Sequence, residues 1–444
     1  MKSLLFLLAL PLLAADYKAG FGRIDITPAQ SIYLSGYAAR KKPSDGVLQK
    51  IWAKALAIED NKGNRVVIVT TDLIGLPRTL ADQIGAEVEK RYRLRRNQLL
   101  LNSSHTHSGP VLRDNLMTMF DLTPEQKRTI TNYSQTLARQ IADVVGAALG
   151  NMQAARLDLG HGTGSFAVNR RVLTPTGVKG GVNPAGPVDQ DVPVLRVAGV
   201  NGQLLGVLFG YACHNTTLGG DLYKINGDYA GFAQANFEAA HPNATAMFML
   251  LCGADANPNP RSTVALAEQH GASLAKEVTR VLAGKLTPVT GHLRSAFHTA
   301  ELAFAPHTRE TFEAESKESN WFKQQRAAEM LAAYDRRAPG RSVTYAVQGI
   351  RLGKALPLVA VGGEVVVDYN LRLKREFPGE ELIVAGYSND VMCYIPSLRV
   401  LKEGGYEAND SMIYYGQPGP FAEDVEDRVM QMVYKVMDRL GRKR

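Results

Sequence analysis

Cysteine is rare in this chain, three in 444 residues. Cys213, Cys252 and Cys393 build no disulfide framework, and their default role is that of small buried apolar side chains. Beyond the N-terminus no run of about 18 apolar residues occurs, so no membrane span is expected in the mature chain. There is no internal repeat, heptad series or low-complexity tract. A P-loop, a dinucleotide fingerprint and a Gly-x-Ser-x-Gly elbow are missing too, which speaks against nucleotide chemistry and the usual α/β-hydrolase triad. The net charge is +8, but the basic residues are dispersed and not interleaved with aromatics, so nucleic acid is not an expected partner.

What is present is ordinary globular composition, 45% hydrophobic and 21% charged. That is enough for a large core in one domain or two closely packed ones. The start resembles an export signal: Lys2, the apolar stretch Leu4 to Leu13, then Ala14-Ala15. The cleavage pattern is imperfect, because a leucine stands third before either cut. Residues 1–15 are therefore expected to be a signal peptide, and the mature protein to be secreted or periplasmic. The positive charge suits a peripheral contact with an anionic lipid surface.

Strands and helices alternate along the chain. Gly20 to Pro28 alternates like a strand, and Arg65 to Thr71 is a β-branched run. A helix over about Leu80 to Arg91 leads to a short apolar strand at Gln98 to Leu101. Thr123-Pro124-Glu125-Gln126 carries a capping box and a first-turn proline, and opens a long amphipathic helix through Leu149. Arg156 to His161 follows, and the Gly/Pro-rich stretch Thr174 to Pro187 reads as a long loop at the rim of a site. Asn201-Gly202 predicts a hairpin between Val192–Ala198 and Leu204–Ala212. Asp228 is placed to cap a helix through Ala240. Ala244 to Leu251 is a further strand, with helices over about Val264 to Leu282, Glu310 to Tyr334 and Ala422 to Leu440. The expected fold is α/β, with layered mixed β-sheets flanked by helices in a single large catalytic domain.

Candidate chemistry gathers where apolar strands end, the usual place for ligands in open α/β sheets. Asn102-Ser103-Ser104-His105-Thr106-His107-Ser108-Gly109-Pro110 puts two imidazoles at such an exit. Alone it is either a metal site or a polar loop with two hydrogen-bonded histidines. Cys213-His214 ends the strand from Leu204. Cys252-Gly253-Ala254-Asp255 ends the strand from Ala244. Gly362-Gly363-Glu364 follows Leu356–Val361 and is read as opening a helix through Lys374. There Glu364 is either a metal or substrate contact or a first-turn carboxylate on the helix dipole. Leu382–Ala385 exits toward Cys393-Tyr394. Catalytic zinc commonly takes three His or carboxylate ligands and leaves one position open.

With these residues in view, the chain resembles the neutral/alkaline ceramidase family. The resemblance rests on Gly22-Arg23-Ile24-Asp25-Ile26-Thr27-Pro28, on Ser104 to Pro110, and on Asn169-Arg170. It continues through Cys213-His214, Asn226-Gly227-Asp228-Tyr229, Gly363-Glu364, Tyr394 and Tyr406-Glu407, in the family's order. It implies Zn2+ held by His105, His214, Glu364 and Tyr394. It implies Tyr406 at the developing oxyanion, and His107 and Arg170 facing the substrate. His107 is our candidate for protonating the leaving amine; the alternative is that it only orients the substrate. Cys252 stands where we place a serine of the ceramidases, and is carried as a candidate catalytic residue. The family's immunoglobulin-like C-terminal domain is not expected over 16–444. The implied reaction is hydrolysis of the N-acyl amide of a ceramide-like lipid to a fatty acid and a sphingoid base. The alternatives are a zinc hydrolase of another small amide or ester, or a binding homologue without catalysis. A deep apolar channel favours a lipid tail, and a polar cleft favours the alternative.

Overall fold

The structure is a computed structural model and describes residues 16–354 and 356–442. The expected signal segment lies outside the described residues. A nine-stranded mixed sheet dominates the first half. Its order is Thr245–Leu250, Leu204–Tyr211, Asp191–Gly199, Gln153–Thr163, Tyr17–Asp25, Trp52–Asp60, Arg65–Thr71 and Leu99–Ser103, with Thr287–Val289 added beside Gln153–Thr163. The pairs at the two ends are parallel, 204–211 with 245–250 and 65–71 with 99–103. The pairs between them are antiparallel. A second sheet, Arg294–Ala303, Ser342–Leu352, Leu356–Val361 and Ile383–Ala385, belongs to the second half.

The two sheets face one another. Leu56, Ile58, Leu100, Leu157 and Leu195 of the first pack with Ile350, Leu358 and Ile383 of the second in one buried cluster. Helices cover the outer faces. Arg78–Tyr92 and Pro124–Gly150 bury Ile84, Leu137 and Ile141 against Val67 and Val69. Val425–Arg439 lies on the second sheet. This is a helix–sheet–sheet–helix sandwich in one large α/β domain, as expected. Its strand ends converge on one rim, where the large sheet's terminal strands meet. There Leu250 donates its N–H to the Asn102 Oδ1 at 3.0 Å, and Asn102 Nδ2 donates to the carbonyls of Leu250 and Gly386.

Several local expectations hold. Thr123 and Gln126 form the capping box of Pro124–Gly150, and the Asn201-Gly202 hairpin joins two antiparallel strands. Others change. The stretch read as a loop over 174–187 contains the strand Gly177–Asn183, paired with Ala167–Thr174. Its residues are mostly exposed, so no apolar alternation marked it; the ladder to an extended neighbour supplies the order. The helix expected over 310–334 is two helices, Arg309–Glu315 and Trp321–Asp335, separated by a turn capped by Asn320. Asp228 is the first residue of its helix rather than its N-cap, which is Gly227; its carboxylate accepts from the N–H groups of Tyr229, Thr217 and Leu218 and fixes the loop after His214. Glu364 does not open a helix. It sits in a two-residue strand, Glu364–Val365, parallel to Tyr394–Ile395, and the helix begins later, at Val367.

Candidate metal centre and its cavity

The rim of the sandwich brings the scattered candidates together. Glu364 and Tyr394 are direct register partners in their short parallel pair. His105 leaves the edge strand in a left-handed conformation, φ 61°, held by its N–H to the carbonyl of Leu73 at 2.8 Å. A non-glycine residue rarely adopts that conformation, and it persists only where neighbours enforce it. His214 is fixed through its N–H to the carbonyl of Ala256 at 3.0 Å. Asn215 Nδ2 donates to the carbonyl of Ser104, lacing the two histidine loops together.

At the centre, Nε2 of His105 lies 3.0 Å and Nε2 of His214 lies 3.1 Å from the same oxygen, Oε2 of Glu364. The Tyr394 hydroxyl is 3.3 Å from His214 Nε2. The Nδ1 atoms of the two histidines face backbone carbonyls, those of Ile74 and Gly253. This orientation assigns Nδ1 the proton and turns both Nε2 lone pairs onto the carboxylate oxygen. All three of these residues are buried. Burial and the Arg170 charge push His214 down to about 4. The Glu364 oxygen and the two unprotonated ring nitrogens facing it are acceptors with no proton of their own, and the Tyr394 hydroxyl stands beside them. Such a set fits a divalent cation.

His107 joins the same group. Its Nε2 is 3.1 Å from His105 Nε2, and one ligand atom from each of His105, His107 and His214 falls within 4.8 Å of the others. Burial and the neighbouring imidazoles push its pKa well down. Gly36, at φ +92°, lies against this ring so closely that a Cβ there would overlap it.

Arg170 is brought in as expected. Its Nη2 donates to the Tyr394 hydroxyl at 3.0 Å and its Nε to Glu407 Oε1 at 2.7 Å. Tyr406 stands beside them, its ring 5.4 Å from that of Tyr394. A cavity of about 450 Å³ opens onto His107, Arg170, Tyr394 and Tyr406. Cys252 is not brought to it. The thiol is fully buried in the core, where burial pushes it up, and it does not line the cavity. The residue of that turn that does line the cavity is Asn257, whose Oδ1 accepts from Arg170 Nη1 at 3.3 Å and from Thr216 Oγ1 at 3.2 Å. Cys213 and Cys393 are likewise buried and unpaired.

Three other residues escaped the sequence reading. Tyr415 donates its hydroxyl to Glu364 Oε1, so that Oε2 is the oxygen left toward the imidazoles. Arg40, almost fully buried, donates to the carbonyls of Ser35, His107 and Leu222 and ties down the His107 loop. Arg171 Nη1 meets Glu407 Oε2 at 2.5 Å, so one carboxylate spans both arginines. Only Tyr415 had a usable signal, an aromatic pair after a strand-poor stretch, and it does not distinguish a site from packing.

Comparison with known proteins gives the family and the fold. A neutral ceramidase of Pseudomonas aeruginosa is 27% identical over 246 residues, 54% of this chain and 36% of that protein. One of Drosophila melanogaster is 27% identical over 252 residues, 52% of this chain and 34% of its own length. The chain thus spans about a third of the length of these curated relatives. In fold, the crystal structure of neutral ceramidase from Pseudomonas aeruginosa superposes with a TM-score of 0.76 at 20% identity, covering 96% of this chain and 75% of that one. A ceramidase complexed with C2 gives 0.75 at 19% identity, covering 96% and 76%. The family model for neutral/alkaline non-lysosomal ceramidase, N-terminal, matches residues 17–288, and the chain belongs to that family.

Proposed function

We propose that this protein is an exported, zinc-dependent amidohydrolase that cleaves the N-acyl amide of a ceramide-like lipid. The observation that carries this reading is the convergence of two imidazole Nε2 atoms on one oxygen of Glu364, beside a cavity lined by Arg170, Tyr394 and Tyr406. His105, His214, Glu364 and Tyr394 would hold the metal. A zinc ion there supplies Lewis acidity and a water that ionises near neutrality.

The remaining work belongs to the chain's own side chains. Water adds to the amide carbon, the C–N bond breaks, and the nitrogen leaves as an amine after gaining a proton. His107 is held neutral by burial and its two imidazole neighbours. Its ring must therefore collect the proton released by the attacking water before passing it to the nitrogen. The Tyr406 hydroxyl is the donor for the oxyanion, a role worth roughly 3 kcal/mol in comparable sites. Arg170, braced by Glu407 and Asn257, orients Tyr394 and the substrate carbonyl without needing to reorganise.

The test is release of fatty acid from a fluorescent short-chain ceramide, with and without a zinc chelator, alongside metal analysis of the purified protein. Chelator-sensitive release with about one zinc per chain is expected. Full activity in chelated, metal-free protein overturns the reading. The cavity's charged lining favours a second reading within the same chemistry, an amide whose amine part is not a sphingoid base.

A further inference from the structure

The cavity beside the metal centre is lined by four cationic side chains, Arg170, Arg171, Lys179 and Arg261, and by two carboxylates, Glu407 and Asp410. Glu407 is fully engaged. It accepts from Arg170 at 2.7 Å and from Arg171 at 2.5 Å, and Arg171 also meets Glu403 at 3.0 Å. Asp410 is on the exposed rim. Lys179 and Arg261 pair with no carboxylate among the described residues. The partner found for the Arg261 guanidinium is a neutral phenol, the hydroxyl of Tyr37, at 3.2 Å from Nη2. Four of its five N–H donors are thus left for something else. Its backbone is pinned on both sides, by Asn259 N–H to Phe166 O at 2.8 Å and Ser262 N–H to Thr217 O at 2.6 Å. Arg261 is a fixed, half-buried cation without a counter-ion.

The same depression continues beyond the first cavity toward a group of aromatic side chains. A second cavity adjoins the first, sharing Gly36, Tyr37 and Tyr406, and reaches Met119 and Tyr414. A third shares Ala38 and Met119 with the second and ends among Phe120, Trp321 and Phe322. The far end of the path gathers aromatic side chains beside Arg40, Lys41 and Asp121, with His107 and Tyr394 at the near end.

Building on the second reading above, an amide whose amine part is not a sphingoid base, we infer that the substrate is an amphiphilic amide whose acyl chain lies toward Met119, Phe120, Trp321 and Phe322 and whose amine part bears an anionic group received by Arg261 and Lys179. An apolar chain gains nothing among guanidinium and ammonium groups and would strip their water. A neutral amino alcohol would leave both cations uncompensated. A carboxylate, phosphate or sulfate on the amine part forms charge-assisted hydrogen bonds with them. Hydrolysis then yields a fatty acid and an anionic amine, such as an amino acid, with water as the only co-reactant.

Three matched substrates test this: N-lauroylserine, N-lauroylserinol and N-lauroylserinol phosphate, which differ only in the group beside the amide-bearing carbon. At low salt, kcat/KM for at least one anionic member is expected to exceed that for the serinol amide roughly tenfold or more, the scale of one hydrogen bond to a charged group. The carboxylate and phosphate arms tell which anion fits. In Lys179→Ala and Arg261→Gln the preference should shrink toward unity. Lys179 is exposed on its hairpin, so its variant keeps the test meaningful if the arginine variant fails to fold. Serinol amide cleaved as well as both anionic amides overturns the inference and leaves the hydrolase reading standing. Cleavage of none of the three, with zinc bound, overturns both. For the apolar end, the readout is tryptophan emission on titration with the non-cleavable dodecylsulfonamide of serine. A change abolished in Trp321→Phe supports the placement, and an unaltered spectrum at saturation overturns it.

Discussion

The two halves of the molecule contribute different chemistry to one site. Residues up to 289, built on the large sheet, supply every imidazole, together with Arg170 and Asn257. Residues from 294 onward, built on the small sheet, supply its carboxylate and phenol oxygens: Glu364, Tyr394, Tyr406 and Tyr415. The family match stops at 288, whereas the superposition on neutral ceramidase covers 96% of the chain. The half with a recognisable sequence is thus not the complete site. Its nitrogens face a carboxylate delivered by a half that the family model does not cover and that carries the likeness only in short motifs, Gly363-Glu364, Tyr394 and Tyr406-Glu407.

The largest effect should come from removing one ligand from each half. His214→Ala and Glu364→Ala are expected to lose bound zinc and activity to the same background level, measured by metal content and amide hydrolysis. If Glu364→Ala keeps zinc and turns over, the second half is scaffold and the comparison breaks. Next is the carboxylate that crosses between the halves. Glu407→Gln leaves Arg170 and Arg171 buried beside one another without their shared counter-charge. Breaking a buried ion pair from one side costs about 3–5 kcal/mol, so urea unfolding should show a loss of that size, with turnover falling because Arg170 is no longer braced. A loss under about 1 kcal/mol, the range of exposed pairs, would mean that water already screens the pair.

A smaller effect sharpens the contrast within the second half itself. Tyr415 hydrogen-bonds Glu364 Oε1 and sets its ring edge-on to Tyr394, and the phenylalanine variant keeps that ring contact and all four proposed ligands. Tyr415→Phe is expected to weaken zinc roughly 10–100-fold in a chelator competition, the usual cost of losing an outer hydrogen bond to a ligand. Unchanged affinity would show that the strand pairing of Glu364 with Tyr394 orients the carboxylate unaided.

The same asymmetry explains what was legible in the sequence. The fold class, the capped helix at Pro124 and the strand exits at His105 and His214 follow from local pattern and turn chemistry. The residue types at the metal centre came through the family's motif order. Glu364 was placed on a helix, because Gly-Gly-Glu before an amphipathic stretch has the form of a helix start. Its true neighbour, Tyr394, is thirty residues away and pairs for two residues only. Cys252 is a candidate because it stands where the resemblance places a serine of the ceramidases. The next few residues turn, however, and Asn257 reaches the cavity while the thiol points into the core. Exposed Gly177–Asn183 carried no alternation, and its order comes from a partner strand.

Asp255 is where the halves are tied, and its test is confined to one pH window. Its Oδ1 accepts the N–H of Val367 at 2.8 Å, at the start of the helix after Glu364, and its Oδ2 accepts from Asn169 Nδ2 at 3.0 Å, beside Arg170. Burial raises its pKa from 3.8 to about 6, against the pull of the Val367 N–H. A carboxyl that holds its proton more tightly in the folded protein than in the unfolded chain stabilises the fold fully below the unfolded value. That contribution is lost as pH rises through the folded one. The window is therefore about pH 4 to 6, and about two pKa units correspond to a change on the order of 3 kcal/mol. Asp255→Asn removes the titration. The fall in urea midpoint between pH 4 and pH 7 attributable to this group should then disappear in the variant, so the two proteins converge at low pH and part at neutral pH. Parallel curves across that range would mean that the two donated hydrogen bonds outweigh burial and that Asp255 ties the halves together as an ordinary carboxylate.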